Sequence, residues 1–97
     1  MMQPPPATLD GAKVLKVADL AAAQATGQTR HYVGDEQVTD FASIALAQYD
    51  DHPGVYIFYC DADWNVITDT LHGDLADAAE QAAVEFEDVE LIDPAPA

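Results

Sequence analysis

The residues of this 97-residue chain with the clearest potential for chemistry are two histidines that lie close to acids. His52 follows Asp50-Asp51 and precedes Pro53-Gly54, a strong turn signal, and His72 follows a predicted strand. If both histidines lie at the same end of a hairpin, they and Asp51 could bind zinc or another transition ion, because imidazole and carboxylate are common ligands. The alternative is that both are solvated turn residues.

A second group of polar residues, Asp61, Asp63 and Asn65, stands at alternate positions, as at the start of a calcium-binding EF-hand loop. The full loop needs glycine at its sixth position and glutamate at its twelfth, where this chain has Val66 and His72. We therefore expect a turn in which these side chains bond their own backbone, with a weak exposed cation site as the alternative.

Trp64 lies inside this predicted turn and has two interpretations. An aromatic residue ringed by polar groups is a common hot spot of binding, so Trp64, Asp61, Asp63 and Tyr56 are the candidate partner-binding residues. The alternative is that the indole folds back over the sheet, since large aromatic side chains usually find cover.

Cys60 is the only cysteine, so no intrachain disulfide can form, in keeping with a reducing cytosol. The neighbouring Asp61 would raise the thiol pKa, and no base lies nearby, so we expect a small buried core residue. The sequence has no Gly-rich phosphate loop and no Gly-x-Ser-x-Gly elbow. We therefore predict no catalytic residue and no cofactor, and a function that is not enzymatic.

The elements that must position these residues are predicted to run β-β-β-α from residue 41 onward. Residues 55–60 are β-branched and aromatic with apolar residues on both faces, which is typical of a covered central strand. Residues 42–49 and 66–71 would pair antiparallel with this strand, although the alanines of 42–49 also favour a helix. Residues 12–17 could add a short strand.

A C-terminal helix is predicted from about residue 75 to 87, with Asp74 as its N-cap. Glu80, Glu85 and Glu87 lie largely off its apolar stripe, so we expect them to be exposed. The fold class is therefore α+β: an antiparallel sheet of three to five strands, with a meander over 42–71 and the helix packed on one face. The stripe consists of Leu75, Ala78, Ala79, Ala82, Phe86 and Val89.

The length indicates one domain, which we place at residues 12–92. Residues 1–11 are Pro-rich and predict a flexible leader, and residues 93–97 predict a flexible tail. Asp19 precedes an Ala-rich run that ends before a glycine, so a short helix over about 19–26 is possible.

The charge is the most unusual property of the chain, with 18 acids against three bases and a formal net charge of -15. DNA, RNA and anionic membrane surfaces are therefore excluded as partners, because binding them requires Lys and Arg. No apolar run approaches the roughly 20 residues of a membrane helix, and we expect a cytoplasmic protein. A basic protein would be attracted, and the alternative explanation of the charge is solubility or salt adaptation.

The face of the sheet that carries Tyr56 and Phe58 needs a cover. Leaving about 400 Å² of apolar surface in water would cost roughly 10 kcal/mol at about 25 cal/mol per Å². The early helix or a second copy of the chain could supply that cover, and this predicts a homodimer.

The hairpin and helix together resemble a group of small bacterial proteins of unassigned function. The resemblance spans about residues 44–89, implies a small bacterial cytosolic protein, supports the hairpin-plus-helix interpretation and lends no activity. It rests on Tyr59-Cys60-Asp61, Trp64-Asn65-Val66, Thr68-Asp69-Thr70 and His72, followed by Glu80-Gln81-Ala82 and Glu85-Phe86-Glu87.

These observations predict a non-enzymatic protein-interaction module that acts through its acidic surface. One alternative is an inhibitor or immunity-type protein that masks a basic target. The other is a metal-binding protein or metal-dependent enzyme that uses His52, His72 and nearby carboxylates.

Overall fold

The computed structural model describes residues 5–20, 24–25, 31–33, 36–38, 41–87 and 89–94. Within these ranges the chain forms strands and one helix, which we number in chain order. The strands are β1 (Thr8–Leu9), β2 (Ala12–Asp19), β3 (Gln24–Ala25), β4 (His31–Val33), β5 (Glu36–Val38), β6 (Ser43–Gln48), β7 (Val55–Cys60), β8 (Val66–His72) and β9 (Phe86–Glu87), and the helix is α1 (Leu75–Glu85).

A curled antiparallel sheet of five strands, in the order β1-β2-β6-β7-β8, forms the centre of the molecule. The predicted meander is confirmed, because β6, β7 and β8 pair in succession through two hairpins. Strand β7 is an interior strand between β6 and β8 and is covered on both faces, as its composition predicted. Of the remaining strands, β3 pairs with β9 and β4 pairs with β5.

Helix α1 packs against the sheet and begins where the sequence predicted. The Asp74 carboxylate accepts a hydrogen bond of 2.8 Å from the backbone N–H of Asp77, which satisfies one of the free donors of the first turn. The helix ends at Glu85, two residues before the predicted end, because Phe86 is extended and pairs in β9. Ala78 and Ala82 are fully buried against the sheet, so their small side chains allow close approach.

The short helix predicted over about 19–26 is wrong at its described residues. Asp19 is the last residue of β2 and pairs with Ser43 of β6, and Gln24–Ala25 form β3. Two turns of helix are marginal without tertiary packing, so backbone pairing with a neighbouring strand prevails over the helix propensity of alanine. Residues 21–23 and 26 lie outside the described residues.

The sheet extends past the predicted N-terminal boundary of the domain, and strand-like pairing reaches the predicted C-terminal boundary. Within the predicted leader, β1 pairs with the first residues of β2, and the chain reverses at Asp10-Gly11, both of which have positive φ. At the other end, Ile92 exchanges two backbone hydrogen bonds of 2.9 Å with Val17. Residues 1–4 and 95–97 of the predicted leader and tail lie outside the described residues.

Each face of the sheet carries its own core, and both are buried within one chain. The core on the helix side contains Ala18, Leu20, Ile44, Leu46, Val55, Ile57, Tyr59, Ala78, Ala82 and Phe86. The second core, on the opposite face, contains Leu9, Ala12, Val14, Val17, Ala45, Ala47, Phe58, Cys60 and Trp64.

The second core answers the question of what covers the aromatic face of the sheet. Phe58 is only 2 % exposed, because Leu9 and Trp64 pack with it and the sheet curls around it. At its described residues the early helix is not formed, so these residues do not cover the face as a helix. Among the described residues the sheet does not leave a large wet apolar face, which was the reason for expecting a homodimer.

Candidate functional site

The hairpin between β7 and β8 has two ends, and the predicted site residues divide between them. We call residues 61–65 the turn end. We call residues 49–54, together with the end of β8 and the residue after it, the groove end. The two ends use the same kinds of polar residue in different ways.

Asp61 organises the turn end. Its Oδ1 accepts hydrogen bonds of 2.9 Å from the backbone N–H groups of Asp63 and Asn65, and its Oδ2 accepts one of 3.0 Å from the Asn65 side chain. These bonds favour the charged form, and they hold the pKa of Asp61 below its usual value, with the Asn65 side chain as the main cause. The Asp61 carboxylate is therefore used in shaping the turn.

Trp64 belongs to the second core, as the packing interpretation expects. It is 7 % exposed, and its backbone has the unusual φ of +65°, which turns the side chain inward beside Phe58 and Cys60. Its backbone N–H donates a hydrogen bond of 3.1 Å to the carbonyl of Asp61. The surface of the turn end thus offers the exposed side chain of Asp63, whereas the indole lies inside.

Cys60 lies beneath this turn and is buried. Burial, and then the nearby Asp61 and Asp10 carboxylates, raise the pKa of its thiol to about 12. A thiol that stays protonated and covered is a poor nucleophile, so the predicted core role matches its surroundings.

Tyr56 lies at the opposite end of β7 from the turn end. Its ring stacks on Phe58 with centroids 5.8 Å apart and meets Tyr49 edge-on at 5.6 Å. The His52 ring lies 6.1 Å from it. The candidate partner-binding residues therefore do not form one surface, because Trp64 and Tyr56 occupy different ends of the sheet.

The structure does bring His52 and His72 together at the groove end. Both line a groove of about 380 Å³, whose walls also include Pro53, Gly54 and Leu71. A Cβ at Gly54 would lie 2.7 Å from Leu71 Cδ1 and 3.0 Å from both His52 Cε1 and the His72 carbonyl. Only glycine allows these three groups to converge here.

A larger groove of about 620 Å³ adjoins the first and shares its His52–Pro53 wall. Asp50 and Asp51 line this adjoining groove, and Lys13 of β2 lies on its far side. Asp51 thus borders the histidine groove without lining it.

The hydrogen bond of the His52 imidazole does not suit a metal ligand. His52 Nδ1 accepts the Gly54 N–H at 3.0 Å, so the neutral ring carries its proton on Nε2 and has no lone pair left for a metal. His72 Nε2 is hydrogen-bonded to Thr70 Oγ1 at 2.8 Å. In the described part of the chain, no group of three or more His, Cys, Asp or Glu side chains is arranged to hold a metal ion. His52, His72 and Asp51 do not form such a group, and a metal site at these residues stays a prediction.

A buried hydrogen-bond chain leads from this groove to α1, and sequence reasoning missed it. The Tyr59 hydroxyl donates to Glu85 Oε2 at 2.7 Å and lies 3.3 Å from Thr70 Oγ1, which in turn contacts His72. Glu85 is only 3 % exposed, so the expectation that it faces water is wrong. Burial raises the pKa of Tyr59 above its ordinary value, which keeps its hydroxyl proton in place.

A signal for Glu85 was present in the sequence. It lies three residues after Ala82 and seven after Ala78, the helical spacing of the buried alanines. The prediction instead placed Glu85 largely off the apolar stripe, with Glu80 and Glu87. Nothing in the sequence pairs Tyr59 with Thr70, because that contact depends on the strand register.

Protein-family models, curated proteins and solved structures show no significant match to this chain. Among the helices of the described residues, none combines the length and apolar character needed to cross a membrane. The resemblance to small bacterial proteins therefore stays a prediction.

Proposed function

We propose that this chain is a non-enzymatic interaction module that binds a basic protein through its acidic surface. The observation that carries the proposal is the distribution of charge over the folded chain. The exposed acids of the described residues belong to strands, turns and the helix alike: Asp10, Asp19, Asp50, Asp51, Asp63, Asp69, Asp74, Asp77, Glu80, Glu90 and Asp93.

Positive charge is scarce on this surface. Among the described residues the fixed positive charges are Lys13 and Lys16, and Lys16 is paired with Asp93. A field of one sign raises the association rate of an oppositely charged partner and repels like-charged ones. Because each face of the sheet carries a buried core, charged side chains are prominent among the exposed described residues, and almost all of them are acidic.

An inhibitor or immunity-type protein that masks a basic target would use the same surface, so it is a narrower form of this proposal. We place the protein in the cytosol of a bacterium for two reasons. Its one thiol is buried and forms no disulfide, and its hairpin resembles small bacterial proteins. Binding a basic partner needs no second copy of the chain. The homodimer stays a separate prediction, which light scattering at micromolar concentration would measure.

The test is capture of a partner from source-cell lysate at low salt, followed by a high-salt wash and mass spectrometry. The control bait is an unrelated acidic protein of similar charge per residue, which removes proteins that bind any polyanion. We expect one near-stoichiometric basic protein that is released by salt and retained in chelator. An empty eluate, or the same proteins on both baits, would contradict the proposal.

A further inference from the structure

One arrangement of protons satisfies all three contacts of the buried hydrogen-bond chain, because each hydroxyl has one proton to give. The Tyr59 proton goes to the Glu85 carboxylate, which only accepts. Thr70 can then bond both of its neighbours when it donates to the Tyr59 oxygen and accepts from His72 Nε2. In this arrangement the neutral His72 ring holds its proton on Nε2, and its Nδ1 carries the lone pair.

This lone pair has no hydrogen-bond partner among the described residues. His52 differs, since its Nδ1 accepts from Gly54. The groove end thus contains one imidazole, that of His72, with an accepting nitrogen. The hydrogen-bond chain to Glu85 fixes the orientation of this ring. A site prepared in this way suits a ligand that donates a hydrogen bond.

The surroundings of the groove favour a positively charged ligand with an apolar stem. Leu71 is 51 % exposed and forms an apolar wall with Pro53. The Asp77 carboxylate lies beside Gly73, 3.0 Å from where a Cβ would stand, and Asp51 lines the adjoining groove. With a net charge of -15 on the chain, an anion would be repelled and a cation attracted.

We propose that this groove receives a lysine side chain of the basic partner, with its ammonium donating to His72 Nδ1 and its methylenes against Pro53 and Leu71. The inference rests on the proposed function and names the group that the partner inserts. An ammonium is a compact donor on an apolar stem, which fits a single accepting nitrogen between apolar walls. The planar fork of a guanidinium would need two parallel acceptors.

The site is tested first without a partner, using n-butylammonium chloride as the probe and ¹⁵N-labelled full-length chain. Tetramethylammonium chloride at the same concentration is the control, because it has the same charge and no N–H. We expect saturable shifts of the Gly54, Leu71 and Gly73 amide signals with n-butylammonium alone. Equal shifts with both cations would overturn the proposal, since charge alone would then explain them.

Matched variants on β8 test the role of the buried hydrogen-bond chain. Thr70→Val removes the hydroxyl that orients His72, and Thr70→Ser keeps it. Thr68→Val makes the same change on the same face of β8, at a residue outside the hydrogen-bond chain. We expect the dissociation constant for n-butylammonium to rise about fivefold in Thr70→Val and to stay near wild type in the other two. Equal affinities for Thr70→Val and Thr68→Val would overturn the proposal.

Thermal unfolding establishes that each variant is folded. Should Thr70→Val fail to fold, His72→Phe at the partly exposed end of β8 replaces it. Loss of n-butylammonium binding in that variant supports the site, and retained binding overturns it.

The partner experiment separates this inference from the proposed function. If a basic protein is captured and Thr70→Val weakens its binding while Thr68→Val does not, both stand. If the captured protein binds all variants equally, the lysine assignment fails and the interaction module remains. If n-butylammonium binds and no basic protein is captured, the proposed function fails, and with it the partner's lysine as the occupant.

Discussion

The two ends of the β7–β8 hairpin use similar polar residues for different purposes. At the turn end, both carboxylate oxygens of Asp61 accept hydrogen bonds from the turn itself, and Trp64 closes the second core. At the groove end, two histidines converge on a glycine and one imidazole nitrogen stays without a partner among the described residues. Polar residues that complete their hydrogen bonds inside the fold stabilise it, and those that do not are available to a ligand.

The largest effect that this comparison predicts is the protection of Cys60 at the turn end. The thiol is buried and its pKa is raised to about 12, so a disulfide reagent at neutral pH reaches it only when the sheet opens. With an opening free energy of about 5 kcal/mol or more, labelling should be at least about a thousandfold slower than in urea. Labelling within seconds in native buffer would show that the turn end is open.

Trp64→Ala should produce the next largest effect, a loss of about 3–5 kcal/mol in the free energy of unfolding. The indole fills the second core beside Phe58, so its removal leaves a cavity on the face opposite α1. Urea denaturation followed by circular dichroism measures the loss.

Leu71→Ala is the control at the groove end, because Leu71 is half exposed and its truncation should cost much less. An unchanged free energy of unfolding in Trp64→Ala, accompanied by lost binding of a basic partner, would reverse the assignment and make the indole a recognition residue.

Gly54→Ala should lower the free energy of unfolding by about 1–3 kcal/mol, because the new methyl group overlaps Leu71 and the His72 carbonyl. The matched control is Gly73→Ala, whose Cβ would meet only the end of the flexible Asp77 side chain, at 3.0 Å. Thermal unfolding of both variants gives the comparison. Equal effects in the two variants would show that the groove end is loosely packed and that its histidines do not converge as described.

The sequence reveals the local elements of the hairpin and the helix better than it reveals the contacts between distant segments. The alternation of β8, the apolar run of β7 and the Asp74 cap are local signals, and each predicted its element correctly. The nearness of His52 and His72 followed from the same hairpin. Local patterns of this kind carry the fold because each element buries the face that its own residues define.

What the sequence did not reveal depends on pairing between distant segments. Asp19 is in a strand because β6 lies beside it, although the run that follows favours a helix. The contact between Tyr59 and Thr70 needs one particular register, and a slip of one residue would turn Thr70 to the other face. The inward turn of Trp64 needs a positive φ that tryptophan rarely adopts.

The smallest predicted effect concerns the acid sensitivity of the turn end. Hydrogen bonds from Asn65 and Asp63 lower the pKa of Asp61 in the folded chain, so folding favours its charged form. That contribution to stability is present above the pKa of an unfolded aspartate, about 3.9, and is lost as the pH falls through the lower folded pKa.

The midpoint of thermal unfolding should therefore change less between pH 5 and pH 2 in Asp61→Asn than in the wild-type protein. Asp63→Asn is the control, because its backbone N–H bonds Asp61 whatever its side chain, and it should follow the wild-type curve. Parallel curves for wild type and Asp61→Asn would mean that the carboxylate does not hold the turn, and the contrast between the two ends would then rest on Trp64 alone.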